Sequence, residues 1–251
     1  MNAVVDLNSD LGEGASHDDE ILDLVTSANI ACGRHAGDSV SILATIGAAK
    51  VKGVAVGAHP SFDDRENFGR REIAMSPADV YELVANQLRS FQALCVEADV
   101  EMNHVKPHGG LYNMAARDLA LAEAIAQALL DLDPHLLLFV PPRSCLEAAA
   151  MKMGLDSMSE VFADRNYMPD GSLVARSRAD ALLHEPAAAA ERVIRILQEG
   201  KVKAVDGTDI EMHANTVCVH GDTPEAVSFI RELRYRLELE DITIAAPGKR
   251  A

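Results

Sequence analysis

Short apolar runs rich in Val, Ile and Ala alternate along the chain with longer stretches whose apolar residues recur at helical spacing. The runs predict strands over Ala3–Leu7, Ser27–Ala31, Val54–Ala58, Glu101–Lys106, His135–Val140, Glu160–Phe162 and Thr216–Val219, with a short one at Ile242–Ala245. The longer stretches predict helices over Asp18–Thr26, Ser39–Lys52, Pro77–Ala98, Asp118–Leu130, Ser144–Met153, Pro186–Gln198 and Pro224–Leu239. Proline after Ser76, Glu185 and Thr223 falls at a first helical position, and Gly53 and Gly200 fall where helices end in a left-handed residue. Seven or eight βα units without a linker predict one α/β domain over residues 1–251, a closed (β/α) barrel of about seven strands, with a doubly wound open sheet as the alternative. Two segments, Pro60–Ser76 and Ala163–Leu183, are long for connectors inside a compact domain and read as lids or binding loops.

Polar residues capable of chemistry gather at the far ends of the predicted strands. Asp6, Asn8 and Asp10 alternate on the first strand, so the three share a face, and Glu13 follows between Gly12 and Gly14. His35 follows the second strand, His59 ends the third, and His104, Lys106 and His108 lie along and beyond the fourth. Cys218, His220 and Asp222 finish the seventh. In a βα repeat, chemistry after every strand builds one site at the carboxyl edge of one sheet. Imidazoles with carboxylates suit either a divalent metal or acid–base work near neutral pH. No GxSxG elbow, Walker loop or complete dinucleotide fingerprint is present.

The net charge of −16, from 39 acidic and 23 basic residues, argues against nucleic acid as a partner. Nine of those bases, among them Arg34, Arg65, Arg70, Arg165 and Arg176, fall in segments that follow strands, where they would attract an anionic substrate. No run is long and apolar enough to cross a membrane, and the first residues carry no secretory pattern. The four cysteines form no CxxC pair and read as reduced thiols, which points to the cytoplasm.

Several of the strand-end segments are long and unusual: Asp6-Leu-Asn-Ser-Asp-Leu-Gly-Glu-Gly14, Ser27-Ala-Asn-Ile-Ala-Cys-Gly33 with His35-Ala-Gly-Asp38, Gly57-Ala-His-Pro-Ser-Phe62 with Asp64-Arg-Glu-Asn-Phe-Gly-Arg70, Val105-Lys-Pro-His-Gly109, Val161-Phe-Ala-Asp-Arg165 and Val219-His-Gly-Asp222. In this order they resemble the LamB/YcsF family. The resemblance implies a barrel related to the glycoside hydrolase/deacetylase folds and an ATP-dependent opening of 5-oxo-L-proline to L-glutamate, with ATP as co-substrate and subunits B and C as partners. Arg34 stands where the family often has an apolar or aromatic residue, and Gly110 replaces a common alanine or methionine.

With that reaction in view, Asp10, Glu13, His59, Lys106, His108 and His220 are the candidate catalytic residues. Asn8, Asn29, His35, Asp38, Arg65, Arg70, Asp164, Arg165, Arg176 and Asp222 are the candidates for binding substrate or nucleotide. A divalent metal, magnesium first, would sit on Asp10, His59 and His108. Two alternatives stand beside this one: a metal-dependent deacetylase-like hydrolase, and a non-catalytic subunit that holds substrate for its partners.

Overall fold

The computed structural model describes residues 3–219 and 226–248, which form a closed parallel barrel wrapped by helices. Its strands are β1 (Val4–Leu11), β2 (Ser27–Ala31), β3 (Ala55–His59), β4 (Met102–Val105), β5 (Leu137–Val140), β6 (Ser157–Phe162) and β9 (Thr216–Cys218). Neighbours pair in parallel in that order, and β9 closes the ring by pairing with β1 at Asp6↔Thr216 and Asn8↔Cys218. The open-sheet alternative is therefore excluded. The short strand β10 (Thr243–Ile244) pairs with the start of β1. Around the ring run α1 (Asp18–Leu22), α2 (Ser39–Lys52), α3 (Pro77–Glu97), α4 (Gly109–Ala115), α5 (Leu119–Leu132), α6 (Cys145–Met153), α7 (Pro186–Glu199) and α8 (Ala226–Leu239). Among the described residues no helix is long and apolar enough to cross a membrane.

Local signals fix most helix ends. Asp38 caps α2 through the N–H groups of Val40 and Ser41, and Ser41 closes the capping box. Ser76 with Pro77 starts α3, while Gly53, Gly154 and Gly200 end α2, α6 and α7 in the left-handed conformation. One expectation needs correction, and two elements were not expected. Helix α1 stops at Leu22 rather than Thr26, because the Thr26 hydroxyl donates to Asp6 Oδ1 at 2.6 Å and also accepts the Leu7 N–H. Helix α4 begins on two glycines that read as a turn. The segment before β9 folds as an antiparallel hairpin of β7 (Lys201–Lys203) and β8 (Asp209–Glu211). The predicted start of α8 at Pro224 lies outside the described residues.

The apolar core lies between barrel and helices, where Leu7, Ile30, Val56, Val105, Leu138, Val161 and Val217 are all buried. The barrel's interior is a column of polar groups that satisfy one another. At its floor Asp6 accepts hydroxyls from Thr26, Ser27 and Thr216. One layer up, Asn8 donates to Thr216 at 2.7 Å, and Asn29 donates to Asn8 at 2.8 Å. His104 reaches Asn29 Oδ1 at 2.8 Å by crossing over β3, with its ring stacked on Phe139 at 4.2 Å. That crossing requires Gly57, since a Cβ there would lie 2.2 Å from the imidazole. Gly57→Ala should therefore destabilise the fold by about 1–3 kcal/mol, the usual cost of overpacking, read as a lower urea midpoint with an unchanged slope. A His104→Ala background should recover part of that loss; equal losses in both backgrounds would refute the clash.

Candidate active site

The barrel's carboxyl end opens into a cavity of about 640 Å3. Its floor is the top of the polar column. Lys106, just past β4, is buried and donates to Asp10 Oδ1 at 2.9 Å, Cys218 Sγ at 3.1 Å and Asn8 Oδ1 at 3.3 Å. An ammonium has three protons, so all are engaged, and Glu160 adds an ion pair at 2.9 Å. Tyr112, on the helix that the sequence hid, donates its hydroxyl to the other oxygen of Glu160 at 2.7 Å. Burial alone would lower the Lys106 pKa, but Asp10 and Glu160 outweigh it and hold the pKa well above the ordinary lysine value. Lys106 is thus a positioning cation, with no proton left for a ligand.

Beside this ion pair stands a cluster of three imidazoles and one carboxylate. Glu13 is carried over the mouth by a turn in which Gly12 and Gly14 take φ of 72° and 88°. The hydrogen-bond network assigns each imidazole proton. His59 Nδ1 donates to the Lys106 carbonyl at 2.6 Å, and His108 Nε2 donates to the Phe68 carbonyl at 2.8 Å. Ser61 gives its hydroxyl proton to the Phe62 carbonyl, so it accepts from His35 Nδ1 at 2.8 Å. The inner nitrogens therefore carry lone pairs, and they converge on Glu13 Oε1: His35 Nε2 at 2.9 Å, His108 Nδ1 at 3.6 Å and His59 Nε2 at 3.8 Å. His59 Nε2 and His108 Nδ1 face each other at 2.9 Å.

Four lone-pair atoms within 4.8 Å of one another call for a cation between them, either a proton or a metal ion. For the proton, His59 is the favoured holder. Burial opposes its charge, but Asp10, with Oδ2 3.4 Å from Nε2, and Glu13 raise its pKa. Burial and the charge on His59 push His35 down to about 3 and His108 well below the ordinary value. For the metal, Glu13, His35, His59 and His108 form a candidate site whose donor set fits. Four of their six separations, 2.9–3.8 Å, bracket the roughly 3.3–3.4 Å edge of a tetrahedron with zinc–nitrogen bonds, and all six are within 4.8 Å. A set rich in imidazole suits a transition ion better than magnesium.

Of the residues predicted from sequence, Asp10, Glu13, His59, Lys106 and His108 converge as expected, and His35, expected among the binding residues, stands with them in the histidine–carboxylate cluster. Arg70, Arg165 and Arg176 line the cavity. Asn8 and Asn29 lie beneath it, where Asn29 also donates to Asp10 at 2.8 Å. Asp38 does not line the cavity, and Arg65 lines a smaller pocket that it shares with Glu13 and His35. Asp38 is committed to capping α2, and Arg65 ties the carbonyls of Gly33 and Gly37 together. Asp164 is close enough to act electrostatically on Arg165 but does not line the cavity. His220 and Asp222 lie outside the described residues. Glu160 and Tyr112 were missed, while Arg143, one of the nine bases counted after strands, also lines the cavity. A glutamate two places before Phe162 in a strand was the available signal for Glu160.

Fold and site together define a (β/α)-barrel protein with an acidic, histidine-rich centre at its carboxyl mouth, of the kind that hydrolytic enzymes build. The chain belongs to the LamB/YcsF family, whose model matches residues 5–251. It is 51% identical to the A subunit of 5-oxoprolinase from Halalkalibacterium halodurans, over 96% of this chain and 95% of the relative. It is 47% identical to the corresponding protein of Neisseria meningitidis, over 96% and 99%. A crystal structure of a lactam utilization protein from Thermus thermophilus superposes with a TM-score of 0.91 at 42% identity, covering 98% of this chain and all of that one. A deacetylase, 12% identical with a TM-score of 0.54, shares the fold over 98% of this chain and 88% of its own.

The buried neutral histidines make stability depend on pH. The unfolded chain protonates His35 near pH 6.5, whereas the folded chain resists until about 3. The stability is fully present above about pH 6.5 and is lost as pH falls toward 3. His35→Asn, which keeps a donor for Ser61, should lower the slope of stability against pH in that window by about one proton, near 1.4 kcal/mol per pH unit. Urea midpoints of chelator-treated protein at several pH values would measure it, and an unchanged slope would count against the assignment.

Proposed function

We propose that the chain acts with partner subunits B and C as a cyclic amide hydrolase that couples ATP hydrolysis to the opening of 5-oxo-L-proline. The observation that carries this reading is identity near one half, over nearly the full length, with relatives named as the A subunit of 5-oxoprolinase, together with the His59–Asp10 pair at the floor of a cavity large enough for an organic ligand. The free cysteines and the use of ATP suit the cytoplasm.

A five-membered lactam is a stable amide, and water attacks its carbonyl only slowly. In the proposed sequence the amide oxygen attacks the γ-phosphorus of ATP, ADP leaves, and the ring nitrogen loses its proton. Water then adds to the activated carbon, the C–N bond breaks and the nitrogen leaves as an amine. A second water cleaves the resulting acyl phosphate, giving glutamate and phosphate. His59 is the proton carrier: its Nδ1 is pinned on the Lys106 carbonyl, so Nε2, the favoured seat of the shared proton, gives that proton to the ring nitrogen and recovers one from water. Asp10, held by Lys106 and Asn29, orients that imidazole and offsets its charge. The arginines of the cavity wall supply positive charge for the carboxylate and phosphoryl groups.

The second reading, a metal-dependent amide hydrolase or deacetylase, is favoured by one observation, the Glu13, His35, His59 and His108 cluster. A bound transition ion would supply Lewis-acid polarisation of a carbonyl.

Glutamate release from 5-oxoproline should require ATP and the mixture of this chain with subunits B and C. His59→Ala should lower it at least about a hundredfold, the usual worth of a positioned acid–base group; a loss of tenfold or less would remove His59 from the mechanism. Cobalt(II) added to the chain alone should give tetrahedral d–d absorbance that His108→Ala abolishes. Chelator-sensitive hydrolysis of an N-acetyl substrate without ATP would favour the second reading. Full activity of the mixture after loss of both Asp10 and His59 side chains would make the chain a passive binder.

A further inference from the structure

The wall of the cavity formed by the β6 loop and the start of α6 gathers three arginines, none of which forms an ion pair among the described residues, although Asp164 acts on Arg165 and Asp170 and Glu211 also line the cavity. Arg165 is buried at 7% exposure. One of its terminal nitrogens donates to the Val174 carbonyl at 2.6 Å, and its Nε has no hydrogen-bond partner among the described residues. No carboxylate of the described residues forms an ion pair with it. Arg176, from the same loop, is close enough that its charge, after burial, lowers the Arg165 pKa. Two guanidiniums thus face one space with like charge. The loop backbone is fixed from behind by Arg192, which donates to the Arg165 carbonyl at 2.6 Å and to Asn166 Oδ1 at 2.5 Å.

Arg143 reaches the same cavity from the neighbouring strand end. It takes φ of 62°, a conformation that disfavours a side chain of its size, and its N–H is held there by Glu147 at 2.7 Å. Backbone strain at a cavity-lining arginine is what a functional constraint on that side chain produces.

We propose that Arg143, Arg165 and Arg176 form a subsite for a phosphoanhydride, the di- or triphosphate chain of a nucleotide. The ligand's identity rests on the ATP-coupled reading above. A lactam acid brings one carboxylate, which one arginine satisfies, whereas three guanidiniums outside any ion pair of the described residues match a polyphosphate. The position also suits the reaction, because the subsite shares its cavity with Asp10 and His59.

The test is binding to the chain alone, by calorimetry or thermal shift, with pyrophosphate, ATP, AMP, inorganic phosphate and 5-oxoproline. Pyrophosphate and ATP should bind and compete with each other. Arg165→Gln, Arg176→Gln and Arg143→Gly should each weaken both at least about tenfold, the scale of one lost charge-assisted bond, while AMP and 5-oxoproline change less. Arg143→Gly is the most telling variant, because glycine accepts the left-handed backbone: stability should hold or rise while binding falls. If Arg165→Gln does not fold, the two exposed positions still decide the matter. No pyrophosphate binding at millimolar concentration, binding unaffected by the substitutions, inorganic phosphate binding as tightly as pyrophosphate, or losses confined to 5-oxoproline would each overturn the subsite. Because no turnover is read, failure of glutamate release in the reconstituted mixture leaves this result standing, and the converse also holds.

Discussion

The buried ammonium of Lys106 is the constraint from which the rest of the site follows. It lies at the top of a barrel whose interior is polar from floor to mouth, and it sits between two carboxylates, those of Asp10 and Glu160. Removing either sign of charge from such a place leaves the other buried without compensation, which is among the most damaging changes a fold can suffer. The three strands that supply these groups are therefore locked in mutual register by chemistry as well as by backbone pairing. The orientation of His59 depends on the same residue, because the Lys106 carbonyl holds its Nδ1. One lysine thus fixes Asp10 through its side chain and His59 through its backbone, and the two fixed groups meet at 3.4 Å.

A polar barrel interior has a second consequence. In most barrels of this kind the centre is packed with branched apolar side chains, and the order of the active-site floor comes from van der Waals contact. Here it comes from a chain of hydrogen bonds running from Asp6 through Thr216, Asn8 and Asn29 to Asp10. Such a chain has defined donors and acceptors, so a substitution at one layer changes what the next can accept. The desolvated Asp6 at the floor, whose pKa burial raises despite three hydroxyl donors, shows how little solvent reaches the column.

Much of this was legible in the sequence. Short runs of three to six residues predicted every strand of the ring, and the alternation of Asp6, Asn8 and Asp10 correctly put three polar side chains on one face. The converging residues were legible because strand ends in a βα repeat must meet. What stayed hidden was of two kinds. Helix α4 was masked by Gly109-Gly110, whose glycines exist because the backbone of Gly69 and Arg71 passes within 2.6 Å and 2.1 Å of where a Cβ would stand. With the helix went Tyr112. The other kind was partnership. Asp38, Arg65 and His35 look alike from the sequence, as polar residues after a strand, yet one caps a helix, one braces two carbonyls and one enters the histidine cluster. Those roles depend on which groups the folded loops bring within 3 Å, and spacing along the chain does not encode that.

The cavity also resolves a tension in the composition. A chain with a net charge of −16 is a poor receptor for an anion if charge acts as a sum. It does not: exposed charges are screened within about 8 Å at physiological ionic strength, so a ligand inside the cavity responds to the groups that line it. Many acids outside that wall are already paired, as with Asp63 on Arg34, Asp64 on Arg71 and Asp209 on Arg195. Inside, the acids of the floor are taken up by Lys106 and the histidine cluster, while Arg143, Arg165 and Arg176 form no ion pair among the described residues, though Asp164 acts on Arg165. Glu72, Asp170 and Glu211 also line the cavity, so its charge is mixed, and what orients a ligand there is which of these groups it touches rather than the sum over the chain.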